Sequence, residues 1–560
     1  MNVRDIRRGD RPSYRGEAVR VALLYGAITF VLVYPLTIHP ATTAFVLGGD
    51  TALYLWTLGW DLHALVHQPF ALFDANIFYP FTHTLAYSEN AIGSALIAAP
   101  FLWMSGSLVF AMNAVALLSV VLCGVGAYLL ARRIGLASSS AMIAGLIYAF
   151  SPPRFFRIGQ LHLTTVQWIP FSLAFLHAYL DFGERRDLWW ACAFFGLQAL
   201  TSGHGAVFLA VSAGLLVIWR IALGEPLRPV KRIRDLGLPG GLLIGIGSVL
   251  FLPYRTVQIE VGLRRTLEDA YDFAPVAASY LASTTHVHAF LLSALTDAPI
   301  LRNANALLFF GYLPILLAGV ALWPAARVSH RAARDTTFYG LLAVLSLWLS
   351  IGPAGGLYRL VYSWPGFNFI RVSSRYTILT ALALGVVAAA GFERWTIRCT
   401  PAKRRMLAVL AGALLVGEFA AFPLAPEPYP PEIPAVDRWL ASQPKPFVIA
   451  EFPVQERWLP HYMLHSTVHW QKTIEGYSGM RPGFHDALYK ELARFPDQKT
   501  LATLADLGVN YLVVHSELYP ASEWVGVRGR LDDFMDWLKL EHAEGSGRVY
   551  SLHRPLSAPP

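Results

Sequence analysis

The sequence is short of charge. Only 15% of its 560 residues are Asp, Glu, Lys or Arg, and 55% are hydrophobic, against roughly 25% charged in soluble domains. A chain this apolar cannot cover itself with polar surface in water, which excludes an ordinary soluble protein and points to a bilayer. Cysteine is almost missing. Of three, Cys123 and Cys192 fall inside apolar runs and Cys399 in a basic loop. The long polar C-terminal segment has none, so it holds no disulfide framework, and no zinc-type Cys spacing exists. A Gly-rich phosphate loop and a dinucleotide fingerprint are also lacking. Residues 41–91 contain no Lys or Arg, yet they carry Asp50, Asp61, Asp74 and Glu89.

The net charge of +8 does not indicate nucleic acid, because the basic residues sit in short clusters between apolar runs, the pattern of cytoplasmic membrane loops. Runs long enough to be spans lie near 18–40, 92–104, 107–131, 137–153, 163–181, 187–201, 203–222, 236–254, 305–323, 337–352, 374–392 and 405–423. The first 20 residues hold six Arg and no small-residue cleavage site, so residues 1–17 read as a cytoplasmic tail before a retained helix. If 92–104, which contains Pro100, lies on the outer face and does not span, every later basic cluster falls inside: Arg132 and Arg133; Arg185 and Arg186; Arg228 to Arg234; Arg327 to Arg334; Arg394 to Arg405. The expectation is about 11 transmembrane helices over 18–423, an outer loop at 41–106, the N-terminus inside and the C-terminus outside.

After Phe422 the connector "PLAPEPYPPEIP" cannot continue a helix. Beyond it, "FVIAEFP" reads as a strand and "LATLADLGVNYLVVHSE" as a helix, a Gly stop and a buried strand. "LDDFMDWLKLEH" reads as an amphipathic helix and "GRVYSLH" as a closing strand. Residues 424–560 are thus expected to form a small extracytoplasmic α/β domain, within the usual size of an independent unit.

The candidate site residues all fall on the outer face. Asp50 follows "GG" at the membrane boundary, where a carboxylate can act as a general base on a lipid-borne substrate and glycines permit close backbone approach. "FDANIFYPFTHTLAYSEN" carries Asp74 and Glu89, a pair able to orient an acceptor hydroxyl or hold a divalent cation. His162 and His204 stand at the outer mouths of two spans. Arg371 and Arg375 in "NFIRVSSRY" are spaced to share one face of a helix entering the membrane, where two guanidiniums can fork a phosphate or snorkel to headgroups. His461, His465 and His469 repeat every four residues, as a metal-binding helix face or a polar contact face.

Asp50 after the first span, a juxtamembrane helix before the second and "IRVSSRY" before a late one, with "FDANIFYP…LAYSEN" and "GQLHLTTVQWIPFSL", together resemble the GT-C superfamily of polytopic glycosyltransferases. The resemblance covers about residues 18–423. It implies a bacterial inner (plasma) membrane enzyme that takes sugar from a polyprenyl-phosphate donor, which agrees with the missing nucleotide site. Transfer would occur on the outer face, usually with inversion, to a lipid, glycan or protein acceptor. By position, Asp50 would be the base, Asp74 or Glu89 a helper, and Arg371 or Arg375 the donor-phosphate ligand. The sequence departs from the superfamily's adjacent acidic pair, with "GDT" in its place, which leaves open whether a divalent cation takes part. Two other classes fit the composition: a non-catalytic scaffold for envelope assembly, and a transporter or flippase. The latter is disfavoured by the lack of internal repeats and of midplane charges.

Overall fold

The computed structural model describes residues 15–224, 229–262, 265–292, 303–322, 330–364, 366–430 and 432–555. Most of the basic tail, together with Arg228 and Arg327, lies outside the described residues. The chain divides into two compact units. The first comprises Met1–Ile38, Val115–Ile244 and Arg265–Ala425; the second comprises His39–Ala114, Gly245–Arg264 and Pro426–Pro560.

The first unit is helical. Every apolar run assigned to it forms a helix, among them Arg15–Leu32, Ser138–Phe150, Trp168–Phe182, Arg185–Thr201, Gly203–Ala222, His330–Ser350, Thr377–Thr396 and Pro401–Phe419. Over the whole chain, four stretches are long and apolar enough to cross a membrane among the described residues: Leu108–Arg133, Gly203–Ala222, Arg234–Glu260 and Ser373–Thr396. Local chemistry sets the ends. The Ser202 side chain accepts from Gly205 N and starts one helix; Thr400 accepts from Lys403 N, ahead of Pro401; Gly183 ends another in the left-handed conformation. The Thr377–Thr396 helix is almost wholly buried. It is rich in Ala and Gly, and small side chains let backbones come close where lipid supplies no hydrophobic drive. At Gly391 any Cβ would collide with the Leu317 carbonyl. Where the helices end in basic residues, Arg220 meets Asp181 at 3.0 Å, and Arg334 meets Asp181 at 3.1 Å and Asp335 at 2.8 Å.

The second unit corrects the reading of 41–91 as loop. Gly49–His67 is a helix of 19 residues, buried along most of its length. The aromatic and polar residues mixed into it hide its period. Ile92–Ser105 is a helix of 14 residues, shorter than a span needs, and Leu96, Trp103 and Met104 are exposed on it.

Residues 435–552 form a five-stranded sheet in the order Lys472–Thr473, Val448–Phe452, Tyr511–His515, Gly547–Leu552, Leu538–Glu544. The first three strands are parallel and the last two antiparallel. Alternation sorts the faces. Ala450, Phe452, Leu512 and Val514 share one core with Leu501, Leu504 and Leu531; Ile449, Val513 and Val549 pack on Val436 and Leu440. Strand Val448–Phe452 and the helix, Gly and strand of Gln498–His515 are as expected. "LDDFMDWLKLEH" is not one helix. The Ala521–Asp533 helix stops there, and Leu538–Glu544 is an edge strand, because pairing with 547–552 outweighs local helical propensity. His461, His465 and His469 do not share one helix either, since Leu459–His465 gives way to a tighter turn at Ser466–Val468. Residues 76–79 complete the sheet: Thr473 N donates to Asn76 O at 2.8 Å, Tyr79 N to Thr473 O at 3.0 Å and Phe78 N to Glu475 O at 3.1 Å.

Candidate active site

Asp50, Asp74 and Glu89 belong to the second unit. Arg371, Arg375, His162 and His204 belong to the first.

In the second unit Asp50 stands in the first turn of the Gly49–His67 helix, where the helix dipole favours a carboxylate. Gly48 makes the turn at φ 56°, and a Cβ at Gly49 would lie 2.6 Å from the Tyr477 ring. Gly49 is therefore required by packing against Tyr477, and Gly48 by the positive φ of the turn. Asp74 is committed to its own loop. Its Oδ1 accepts from His83 N at 2.8 Å, holding a left-handed residue with φ 55°. Asn76 is likewise structural: its Nδ2 donates to Ser466 Oγ at 2.9 Å and Gln471 O at 3.1 Å, and its Oδ1 accepts from Trp56 Nε1 at 3.2 Å. Glu89 is buried just before the Ile92–Ser105 helix. Sequence reasoning gave no role to Asp61. It is fully buried, its Oδ2 accepts from Ala91 N at 3.0 Å, and burial pushes its carboxyl up to about 7. The signal available was its spacing from Asp50: about three helical turns put both on one face.

In the first unit cationic and imidazole groups converge. Arg375 Nη1 lies 2.7 Å from His204 Nε2. Arginine can only donate, so that nitrogen accepts and His204 carries its proton on Nδ1. The rings of His204 and His162 meet edge to face at 5.3 Å, and Phe369 packs 5.0 Å from His204. Arg265 Nη1 donates to Phe369 O at 2.6 Å, and Arg371 lies 4.7 Å over the Phe273 ring. The expected shared helical face of Arg371 and Arg375 is not formed. Helix starts only at Thr377, after a 3-10 turn at Ser373–Tyr376, because Ser373 Oγ donates to Ser350 O at 3.0 Å and Tyr358 Oη ties down Ile370 O. The two guanidiniums are held by different aromatic neighbours.

Arg157 joins this group and was missed in "RFFRIGQLH". It is fully buried. Its Nε donates to Pro153 O at 2.9 Å and its Nη1 to Asn305 Oδ1 at 2.5 Å, while Nη2 has no partner among the described residues. Burial, and then the charge of Arg375, push it down to about 9. His162 is driven well below its usual value by burial, then by Arg375, Arg157 and Arg265, so it is neutral at physiological pH. Forked, buried donors of this kind suit the oxygens of a phosphate.

No family model matches the chain, and no curated protein does. The chain is similar to solved structures of ArnT. The crystal structure of ArnT from Cupriavidus metallidurans bound to undecaprenyl phosphate is 12% identical, with a TM-score of 0.47 over 98% of this chain and 99% of that one. The apo state of the same protein is 12% identical, with a TM-score of 0.38 over 96% and 97%.

Proposed function

We propose that this chain is a membrane glycosyltransferase that moves a sugar from a polyprenyl-phosphate donor to an acceptor on the outer face of the membrane, with inversion at the anomeric carbon. The observation that carries the reading is the cluster of Arg157, Arg265 and Arg375 around His162 and His204, with Arg157 fully buried. A phosphate is the chemistry that cluster fits, and at the edge of membrane helices a lipid phosphate is the natural bearer.

In this reading the bond between the anomeric carbon and the phosphate oxygen breaks as the acceptor oxygen attacks the opposite face. The arginines stabilise the phosphate as it leaves. Asp50 takes the acceptor proton. Glu89 helps hold the acceptor, and the outer segments keep water from the donor. No step requires a cofactor. A fully buried guanidinium beside a second one, as at Arg157 and Arg375, favours this function over a scaffold, which has no use for it.

The test is transfer of labelled sugar from a panel of polyprenyl-phosphate sugars by the full chain in lipid, wild type against Asp50→Asn. Turnover by wild type with a loss of at least about a hundredfold in the variant is the expected result, the size of a positioned base. Turnover that Asp50→Asn leaves intact removes Asp50 from the mechanism. A wild type that consumes no donor in the panel rejects the enzyme reading in favour of the scaffold.

A further inference from the structure

Asp61 has no part in the chemistry above, yet it is a carboxylate of zero exposure in the second unit. The carboxylate spends Oδ2 on the amide of Ala91 at 3.0 Å. From the other side, Tyr254 Oη accepts both Asn90 N and Asn90 Nδ2, each at 3.0 Å. Glu89 therefore precedes two consecutive residues whose backbone amides are clamped, one by a carboxylate and one by a phenol. Ala91 is also the cap of the Ile92–Ser105 helix, with Ala95 N donating to Ala91 O at 2.7 Å. The clamp thus sits at the junction between the acidic segment and a rigid element.

We propose that Asp61 is a positioning residue for Glu89: as a carboxylate it pins the Ala91 amide and so fixes the segment that carries Glu89. The proposal rests on the role given to Glu89 above, but the clamp itself does not need that role to be correct. An ionised acceptor makes a shorter and stronger bond to an amide than a neutral one, so the clamp tightens when Asp61 loses its proton. Burial holds that proton on until about pH 7. The groups facing Asp61 leave it in control of this step. Tyr254 on the Pro229–Glu260 helix is the titratable group coupled to it, and it stays neutral in this range. Glu89 flanks the clamp. The Ile92–Ser105 helix and the Pro69–Ala71 turn bring no ionisable side chain, while Leu459–His465, also packed on the Gly49–His67 helix, brings His461, His465 and Tyr462, the last pushed up by burial and so neutral here. Burial presses both of these histidines below their usual value, so neither titrates near pH 7.

The test is hydrogen exchange of the full chain in lipid, followed by mass spectrometry of peptides covering 88–92, at pH 6 and pH 8 with the intrinsic pH dependence removed. In wild type, the local opening of 88–92 that leaves Asp61 buried is expected to become about tenfold rarer at the higher pH, the difference between a neutral and a charged acceptor, whereas global unfolding, which exposes Asp61, is favoured by the same ionisation. Asp61→Asn keeps an oxygen for the Ala91 amide but cannot ionise, and its protection is expected to be the same at both values. Tyr254→Phe loosens Asn90 and keeps the pH step at Ala91, which supplies the answer if Asp61→Asn folds poorly. A wild type without the step, or an Asp61→Asn that retains it, overturns the proposal. The readout uses no substrate. Failure of the transferase reading therefore shows as absent sugar transfer with the step intact, and failure of this inference as an absent step with transfer intact.

Discussion

Arg375 reaches His204 across 171 residues of sequence, Nη1 to Nε2 at 2.7 Å. The contact holds one guanidinium edge on a neutral acceptor. It also fixes the tautomer of His204. An imidazole bound in this way orients the arginine and does not compete with an anion for it.

Arg375→Lys is accordingly not a conservative change, because an ammonium cannot keep the His204 contact and fork a phosphate together. Binding of a polyprenyl phosphate to the full chain in lipid is expected to weaken by about tenfold or more, in line with losing one charge-assisted bond. Arg157→Met, which fills the same buried space, is expected to weaken it by a similar factor while leaving thermal stability within a few degrees. A binding isotherm against lipid phosphate at constant ionic strength checks both.

Asp61 gives a stability prediction with a definite sign. Its folded-state pKa, about 7, is raised from 3.8. Its contribution to stability is therefore fully present below about pH 4 and is lost as pH rises through 7. Wild type should match or exceed Asp61→Asn at pH 4 and fall behind it at pH 8, by up to about 4 kcal/mol for a shift of this size. Denaturation midpoints of the two proteins across that range decide it; parallel curves would mean that Asp61 ionises normally.

Gly391 has no room for a side chain, because the Leu317 carbonyl occupies the place of its Cβ. Gly391→Val is expected to destabilise the first unit by about 3 kcal/mol or more, as overpacking between two backbones cannot relax through rotamers. Gly412, whose Cβ would meet only Leu146 Cδ1 at 3.4 Å, is the control: Gly412→Ala should be neutral or stabilising. Thermal aggregation onset of the purified variants reads the difference.

Apolar runs and caps made the helices of the first unit legible, and alternation with a Gly stop made strands 448–452 and 511–515 legible. The Gly49–His67 helix was hidden because it is buried on nearly all sides, so it has no polar face to mark a period. The 538–544 strand was hidden because its pairing partner lies beyond it in the chain. Among site residues, Asp50, Glu89 and the two arginines could be picked out from the sequence by charge and position in the chain. Arg157 could not, since what distinguishes it is a burial that only tertiary structure creates; Asp61 offered only its spacing from Asp50, which has meaning once the 49–67 helix is known. The i, i+4 spacing of Arg371 and Arg375 misled, because spacing carries meaning only where a helix runs through it.

The five-stranded sheet has an edge strand at 472–473 that would otherwise present open amides and carbonyls. That edge is closed by residues 76–79 and sealed by Lys472 Nζ, which donates to Ala75 O across 397 positions. Residues 76–79 are therefore synthesised long before the sheet they complete. The sheet reaches its final form only after the rest of the chain has been made. A fragment beginning in the proline-rich connector would carry a raw edge and invite self-association, so the natural cut for isolating this domain is not the one that the linker suggests.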